Sequence, residues 1–144
     1  MAYFPSSGGQ DAVLPYSRAW LALDAELDRL TLAWQEEETR LARDFHWLGL
    51  PEADRRAHPE ARTLYALDDQ ITTLMERRWA LLETLEALPA TDLHDVAGKL
   101  AVAVRLLQDQ GAIESDLLAE AVRELAGRAC PACGVRLIPP DLLA

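Results

Sequence analysis

Apolar residues recur with a helical period over the first half of the chain. Large apolar side chains stand seven residues apart from position 20 onwards, at Trp20, Leu27, Trp34, Leu41 and Leu48. This spacing returns a side chain to the same face of a helix after every two turns. Gly49 and Pro51 then interrupt the pattern, which therefore predicts a first helix over residues 18–48.

A second and more regular row predicts another helix over residues 59–88. Its leucines are again seven apart, at Leu67, Leu74, Leu81 and Leu88. Pro59 suits the first position of a helix, and Pro89 cannot continue one. The row has two interpretations, an internal seam against the first helix or a zipper-like dimer. The short connection favours the internal seam and predicts a long, coiled-coil-like antiparallel hairpin.

Arg78 interrupts the apolar seam of the second predicted helix. A charged residue at a seam position can fix the register of two packed helices. We expect Arg78 to do so by pairing with Glu37 or Asp44, which occupy late seam positions of the first helix.

The second half of the chain predicts two shorter helices, over residues 92–110 and 115–126. Their apolar residues recur three and four positions apart, and Thr91 or Asp92 can cap the first of them. Leu and Ala supply most of the apolar residues, which favours helix over sheet. The predicted fold class is therefore all-α, a long helical hairpin plus two short helices.

The two ends of the chain differ from this helical domain, which we place at residues 18–127. Residues 1–17 are rich in Pro, Ser and Gly and predict a flexible arm, with Ser17 as the N-cap of the first helix. Residues 128–144 form a tail that carries a C-x-x-C turn.

The charge balance restricts the partners of the protein. The chain has a net charge of −10, from 24 acidic and 14 basic residues. Affinity for nucleic acids comes largely from basic residues that neutralise phosphates, so we expect no nucleic-acid partner. No apolar run is long enough for a membrane span and no signal peptide is evident, so we expect no membrane partner and a cytoplasmic location.

The sequence contains no familiar catalytic motif, such as H-E-x-x-H, a Walker loop or G-x-S-x-G. We therefore expect a non-enzymatic protein without catalytic or organic-cofactor-binding residues. Trp47 and Trp79 fall off the main apolar stripes, and Trp is enriched where protein surfaces meet. They are candidates for partner binding, although the shorter helices could instead cover them.

The tail carries the only two cysteines of the chain, Cys130 and Cys133, in the run C-P-A-C-G. In a zinc knuckle, two cysteines bind the metal from a tight turn that Pro stiffens and Gly completes with a left-handed backbone. Both cysteines are thus candidate metal ligands, with zinc as the candidate ion and no cofactor assigned. A structural zinc site needs four ligands, which two chains could supply as four thiolates or one chain could complete with a distant histidine. The sequence favours the site shared between two chains, as a metal-stabilised dimer, because no histidine lies near the cysteines in the chain.

Two further interpretations of the cysteine pair stay open. C-P-x-C also occurs as a redox dithiol, which gives a thiol redox or metal-relay protein as an alternative function. In such proteins the pair stands at a helix N-terminus, whereas here it follows a helix C-terminus, whose dipole opposes a thiolate. The turn could also be purely structural.

Two segments, ERRWALLETLEALPATDLHDVAGKL and ESDLLAEAVREL, resemble short uncharacterised bacterial helical proteins that often occur near prophage or mobile-element genes. The resemblance covers about residues 60–126 and implies no activity. The leading prediction is a small acidic helical adaptor or regulator that binds another protein or a second copy of itself, as a homodimer. A phage or mobile-element accessory factor that occupies a basic partner surface is a third alternative.

Overall fold

The computed structural model describes residues 13–108 and 113–138 of the 144-residue chain. Within them the protein is all-α, as the apolar period predicted, and the only β-type pairing is an isolated bridge between Ala129 and Arg136. The helices are α1 (Val13–Phe45), α2 (Glu52–Ala57), α3 (Arg62–Ala87), α4 (Leu93–Gln108) and α5 (Ile113–Ala126). None of these described helices is long and apolar enough to cross a membrane.

Helix α1 begins earlier than the sequence pattern predicted. The chain is helical from Val13, so residues 13–17 belong to α1 rather than to the arm. Pro15 is compatible with this start because the N–H groups of a first helical turn have no acceptor within the helix. Ser17 is not an N-cap; its hydroxyl donates a hydrogen bond of 3.0 Å to the carbonyl oxygen of Val13. Residues 1–12 of the predicted arm lie outside the described residues.

The end of α1 also differs from the prediction. The helix ends at Phe45 instead of residue 48, because His46 adopts a left-handed backbone with a φ of 52°. A left-handed residue after the last turn terminates a helix, and His enters this region more readily than most residues. A 3-10 turn follows at Trp47–Gly49, and α2 occupies part of the short connection between the two predicted long helices.

The chain divides into two compact units, Leu23–Ala80 and Met1–Ala22 with Leu81–Ala144. In the first unit, one buried cluster combines residues from α1, the connection and α3: Leu41, Trp47, Ala61 and Leu64. The buried carboxylate of Asp24 accepts a hydrogen bond from the guanidinium of Arg78. These contacts pair late α1 with early α3 and early α1 with late α3, as an antiparallel arrangement requires. The hairpin over its full predicted length stays a prediction.

The expected partners of Arg78 were wrong. Arg78 pairs with Asp24. Glu37 and Asp44 lie towards the opposite end of α1 and pair locally, Glu37 with Arg40 at 2.7 Å and Asp44 with Arg43 at 2.6 Å. The antiparallel order of contacts places Arg78, near the end of α3, beside the beginning of α1.

The second unit contains two buried clusters. One joins the start of α1 to the end of α3 and to α4, through Val13, Trp20, Leu85 and Val102. The other joins α4 and α5 to the tail, through Ala97, Ala101, Val104, Ala119, Val122, Ala126, Cys130, Leu137 and Ile138. Small side chains on α4 and α5 let the tail pack closely against both helices. This second cluster positions the cysteine turn.

Candidate metal centre

The C-P-A-C-G run forms a compact turn, which we call the knuckle (residues 129–137). The N–H of Cys130 donates to the carbonyl oxygen of Val135 at 2.7 Å, and the N–H of Gly134 donates to that of Cys130 at 2.8 Å. Gly134 has a φ of 72°, a left-handed backbone that disfavours other residues, although nothing lies within 4 Å of the position of a β-carbon there. Glycine is thus required for its conformation rather than for space.

Apolar anchors on both sides hold the knuckle in place. Cys130 is 6% exposed, and Leu137 and Ile138 are 3% and 1% exposed, all within the cluster that α4 and α5 form. Cys133, at the tip of the turn, is exposed. The knuckle therefore presents one buried and one accessible thiol on a backbone that packing and hydrogen bonds restrain.

The beginning of α4 is restrained by a network of capping hydrogen bonds. The carboxylate of Asp92 accepts from the N–H of Asp95 at 2.8 Å. The buried carboxylate of Asp95 accepts from the N–H and the hydroxyl of Thr91 at 2.9 and 2.8 Å. Caps of this kind satisfy N–H groups that a helix start leaves unpaired. They restrain the turn that carries His94.

His94 meets both cysteines of the knuckle. Its Nε2 atom lies 3.3 Å from Sγ of Cys133, and the ligand atoms of His94, Cys130 and Cys133 all lie within 4.8 Å of one another. A nitrogen and a sulfur bound to one zinc ion at about 2.05 and 2.3 Å with tetrahedral angles would be about 3.5 Å apart. The distance between His94 and Cys133 fits shared coordination of one ion, and Cys130 lies close enough to join them.

A backbone carbonyl orients the imidazole of His94. Its Nδ1 atom lies 3.2 Å from the carbonyl oxygen of Leu137. A carbonyl oxygen only accepts, so in the neutral imidazole this contact favours the tautomer with the proton on Nδ1, which leaves the lone pair of Nε2 on the side of Cys133. Metal-binding histidines commonly have such a carbonyl partner on the second ring nitrogen, which fixes the tautomer and the ring orientation.

Hydrogen bonds within the knuckle favour the thiolate form of Cys130. The backbone N–H groups of Ala132 and Cys133 donate to its sulfur and lower the pKa of the Cys130 thiol, with a smaller contribution from the Cys133 side chain. Burial and the nearby carboxylate of Asp92 oppose this shift. Because the thiolate is the form that binds a metal, a lowered pKa prepares Cys130 as a ligand.

The structure brings together the two cysteines that the sequence singled out and adds His94 to them. The sequence pattern named no histidine: it gave a distant histidine only as the alternative to a site shared between two chains, which it favoured. The available indication was that only His46, His58 and His94 exist in the chain. In the part of the chain that the structure describes, His94, Cys130 and Cys133 are the group of side chains that could hold a metal ion.

The two candidate partner-binding tryptophans lie elsewhere, in the Leu23–Ala80 unit, and differ in exposure. Trp47 is 5% exposed; its indole N–H lies 3.4 Å from the carbonyl oxygen of Arg55, and its ring packs edge-on against Tyr65. Trp79 is 59% exposed. Partner binding stays a prediction for both residues, but burial counts against Trp47 whereas Trp79 offers an accessible ring.

Comparisons with protein-family models, with curated proteins and with solved structures found no match to this chain. The resemblance to short bacterial helical proteins therefore stays a prediction.

Proposed function

We propose that this protein binds one zinc ion per chain through His94, Cys130 and Cys133. The observation that carries this proposal is the convergence of three ligand atoms within 4.8 Å of one another, two from the knuckle and one from the first turn of α4. The contact between Nδ1 of His94 and the Leu137 carbonyl oxygen also supports it, because it directs Nε2 towards Cys133.

The chemistry of the three side chains favours zinc over harder ions. Thiolates select zinc, copper(I) and iron–sulfur clusters, imidazole suits zinc, copper and iron, and magnesium and calcium prefer oxygen ligands. The alternative of a site shared by two knuckles, with four thiolates, is less well supported because one chain already provides three ligands. We therefore expect a stoichiometry of one metal ion per chain.

We further propose that the helical surface binds protein, either a partner or a second copy, in a non-enzymatic adaptor or regulator. On α3, Met75 and Trp79 stand four residues apart on one face, 44% and 59% exposed. Met and Trp are enriched at protein interfaces. The net charge of −10 favours a basic protein surface as partner over a nucleic acid. A basic partner surface is also what the mobile-element accessory factor would require.

A second candidate function is a thiol redox or metal-relay activity of the same cysteines. The observation that favours it is the exposure of Cys133 beside a Cys130 thiol whose pKa is lowered. A reagent or an acceptor protein can reach an exposed thiol, whereas a purely structural knuckle does not require this accessibility.

Native mass spectrometry of protein purified without chelator tests the proposal and separates the two candidates. We expect one zinc ion per chain in the unaltered protein, and loss of the ion in His94→Ala and Cys133→Ser. His46→Ala is the matched control, because His46 is not part of the cluster. Metal-free wild-type protein, or zinc bound equally well by His94→Ala, would contradict the proposed site. Metal-free protein with a rapidly reversible Cys130–Cys133 disulfide would support the redox function.

A further inference from the structure

The described residues provide three ligands to the candidate metal centre, whereas tetrahedral zinc takes four. Within the part of the chain that the structure describes, the group that can hold the ion consists of His94, Cys130 and Cys133. Zinc sites closed by four protein ligands are structural, and sites with three keep a position that exchanges ligands. The exposure of Cys133 places part of this centre at the protein surface.

We propose that a metal ion in this centre keeps one exchangeable coordination position, which selects a neutral nitrogen donor, such as a histidine side chain of a protein partner, over an anion. This inference rests on the proposed metal binding. On this inference, a protein partner contacts the bound metal ion directly.

Charge is the first reason for this selectivity. Two thiolates neutralise a divalent ion, so no net positive charge remains to attract an anion. The carboxylate of Asp92 lies close enough to Cys130 to act on its sulfur electrostatically, and it adds a negative charge beside the centre. An incoming anion is repelled by this charge, whereas a neutral imidazole is not.

The residues next to the ligands along the chain are the second reason. Leu93, which precedes His94, is 48% exposed, and Val135, whose carbonyl accepts the Cys130 N–H, is 60% exposed. We infer that these accessible apolar side chains border the site, where they favour a ligand that loses little hydration energy on binding. An imidazole meets this condition better than a carboxylate or another small anion. Apolar neighbours of a partner histidine could pack on Leu93 and Val135.

Cobalt(II) substitution gives a direct test. The sulfur-to-cobalt charge-transfer bands, called thiolate bands below, report that the thiolates bind the metal. The visible d–d bands report the identity of the fourth ligand. The protein loaded with cobalt is titrated with imidazole and with azide, two nitrogen donors that differ in charge, at a mildly alkaline pH where imidazole is neutral. We expect saturable changes in the d–d bands with imidazole, and affinity for azide weaker by about tenfold or more.

The variant Asp92→Asn is the matched control for the charge argument, because Asn is as good an N-cap as Asp and preserves the start of α4. Asp92→Asn should reduce the ratio of the imidazole affinity to the azide affinity several-fold, while the thiolate bands stay unchanged. Leu93→Ser should weaken imidazole binding without loss of the metal. Equal affinities for imidazole and azide would overturn the inference. So would d–d bands that respond to neither compound. Neither result would contradict the proposed metal site. Absence of thiolate bands would overturn the metal site as well.

Discussion

The imidazole Nε2 atom of His94 lies 3.3 Å from the Sγ atom of Cys133, although 39 positions separate the two residues. His94 belongs to the first turn of α4, and Cys133 belongs to the knuckle that follows α5. A metal ion bound to both residues cross-links these two segments. The unfolded chain does not hold them together, so the free energy of metal binding adds to the free energy of folding.

Zinc should therefore stabilise the protein against unfolding. At a free zinc concentration of about one hundred times the dissociation constant, we expect the free energy of unfolding to rise by about 2.7 kcal/mol. Denaturant titrations with zinc and with a chelator measure this gain. Cys133→Ser should lose the gain, while its metal-free stability stays within about 0.5 kcal/mol of wild type, because Cys133 is exposed. An equal gain in Cys133→Ser would contradict the cross-link.

Metal binding should weaken as the pH falls, because protons compete with the ion for the ligand atoms.

The lowered pKa of Cys130 also affects the stability of the metal-free protein. The stability that it contributes is complete above the pKa of an unfolded cysteine, about 8.5, and is lost as the pH falls through the folded-state pKa.

Melting temperatures of metal-free wild type and Cys130→Ser, compared between neutral and alkaline pH, test the sign of this effect. The wild type should gain stability relative to the variant as the pH rises. A difference that is constant with pH, or that shrinks as the pH rises, would show that the thiolate of Cys130 is not favoured by folding.

Gly98 permits a close approach between α4 and α1. A β-carbon at position 98 would lie 2.9 Å from Oγ and 3.2 Å from Cβ of Ser17. Ser17 is fully buried and bonded to the Val13 carbonyl, so it cannot easily move. In Gly98→Ala, overpacking of about 1–3 kcal/mol should exceed the gain in helix propensity of about 1 kcal/mol and leave a net destabilisation of up to about 2 kcal/mol.

Denaturant unfolding measures this cost, and Gly127→Ala is the control, because a β-carbon there would meet only backbone atoms at 3.6 Å or more. The double variant Ser17→Ala with Gly98→Ala should recover part of the loss, since it removes the nearest clashing atom. A Gly98→Ala variant more stable than wild type would mean that the helices separate easily at this point.

The ion pair between Asp24 and Arg78 should matter more than the ion pairs on the surface. The side chain of Asp24 is 3% exposed and that of Arg78 is 22% exposed. Arg78→Met removes the cation and leaves a buried carboxylate, at an expected cost of about 3 kcal/mol. Adding Asp24→Leu should restore most of the stability, because an apolar pair can replace a buried ion pair at little cost.

Arg29→Ala is the surface control for this experiment. Arg29 contacts Glu26 at 2.6 Å, but both side chains are largely solvated, at 63% and 45% exposure. We expect little or no loss of stability in Arg29→Ala, because solvent screens an exposed ion pair. If Arg78→Met and Arg29→Ala cost the same, burial does not strengthen the Asp24–Arg78 pair.

The all-α class could be predicted because the apolar period and the Leu and Ala content express one local preference repeated over many residues. The ends of α1 could not, because the period carries no information on Pro15 in a first turn or on a left-handed His46. His94 and Asp24 were missed for another reason. Each contacts its partner because segments distant in the chain pack together. The spacing of residues within one segment does not specify which residue of another segment will lie beside it.

The two tryptophans of the Leu23–Ala80 unit should respond to substitution in opposite ways. Trp47→Ala opens a cavity in a buried cluster and should cost about 3–5 kcal/mol of stability. Trp79 is 59% exposed, so Trp79→Ala should change stability by at most about 0.5 kcal/mol. If α3 joins two copies through this ring, Trp79→Ala should weaken self-association by about 2 kcal/mol, as truncation of a central interface residue does.

Sedimentation velocity over a range of concentrations measures the association, with Leu32→Ala as a matched control. Leu32 is a comparably exposed apolar residue on α1, at 56%, and it should leave the association unchanged. A wild-type protein that stays monomeric, or a Trp79→Ala variant that dimerises normally, would exclude α3 as a homodimer interface. The exposed ring would then be available only to a different protein. An equal loss in both variants would indicate a broad apolar contact, in which Trp79 has no special part.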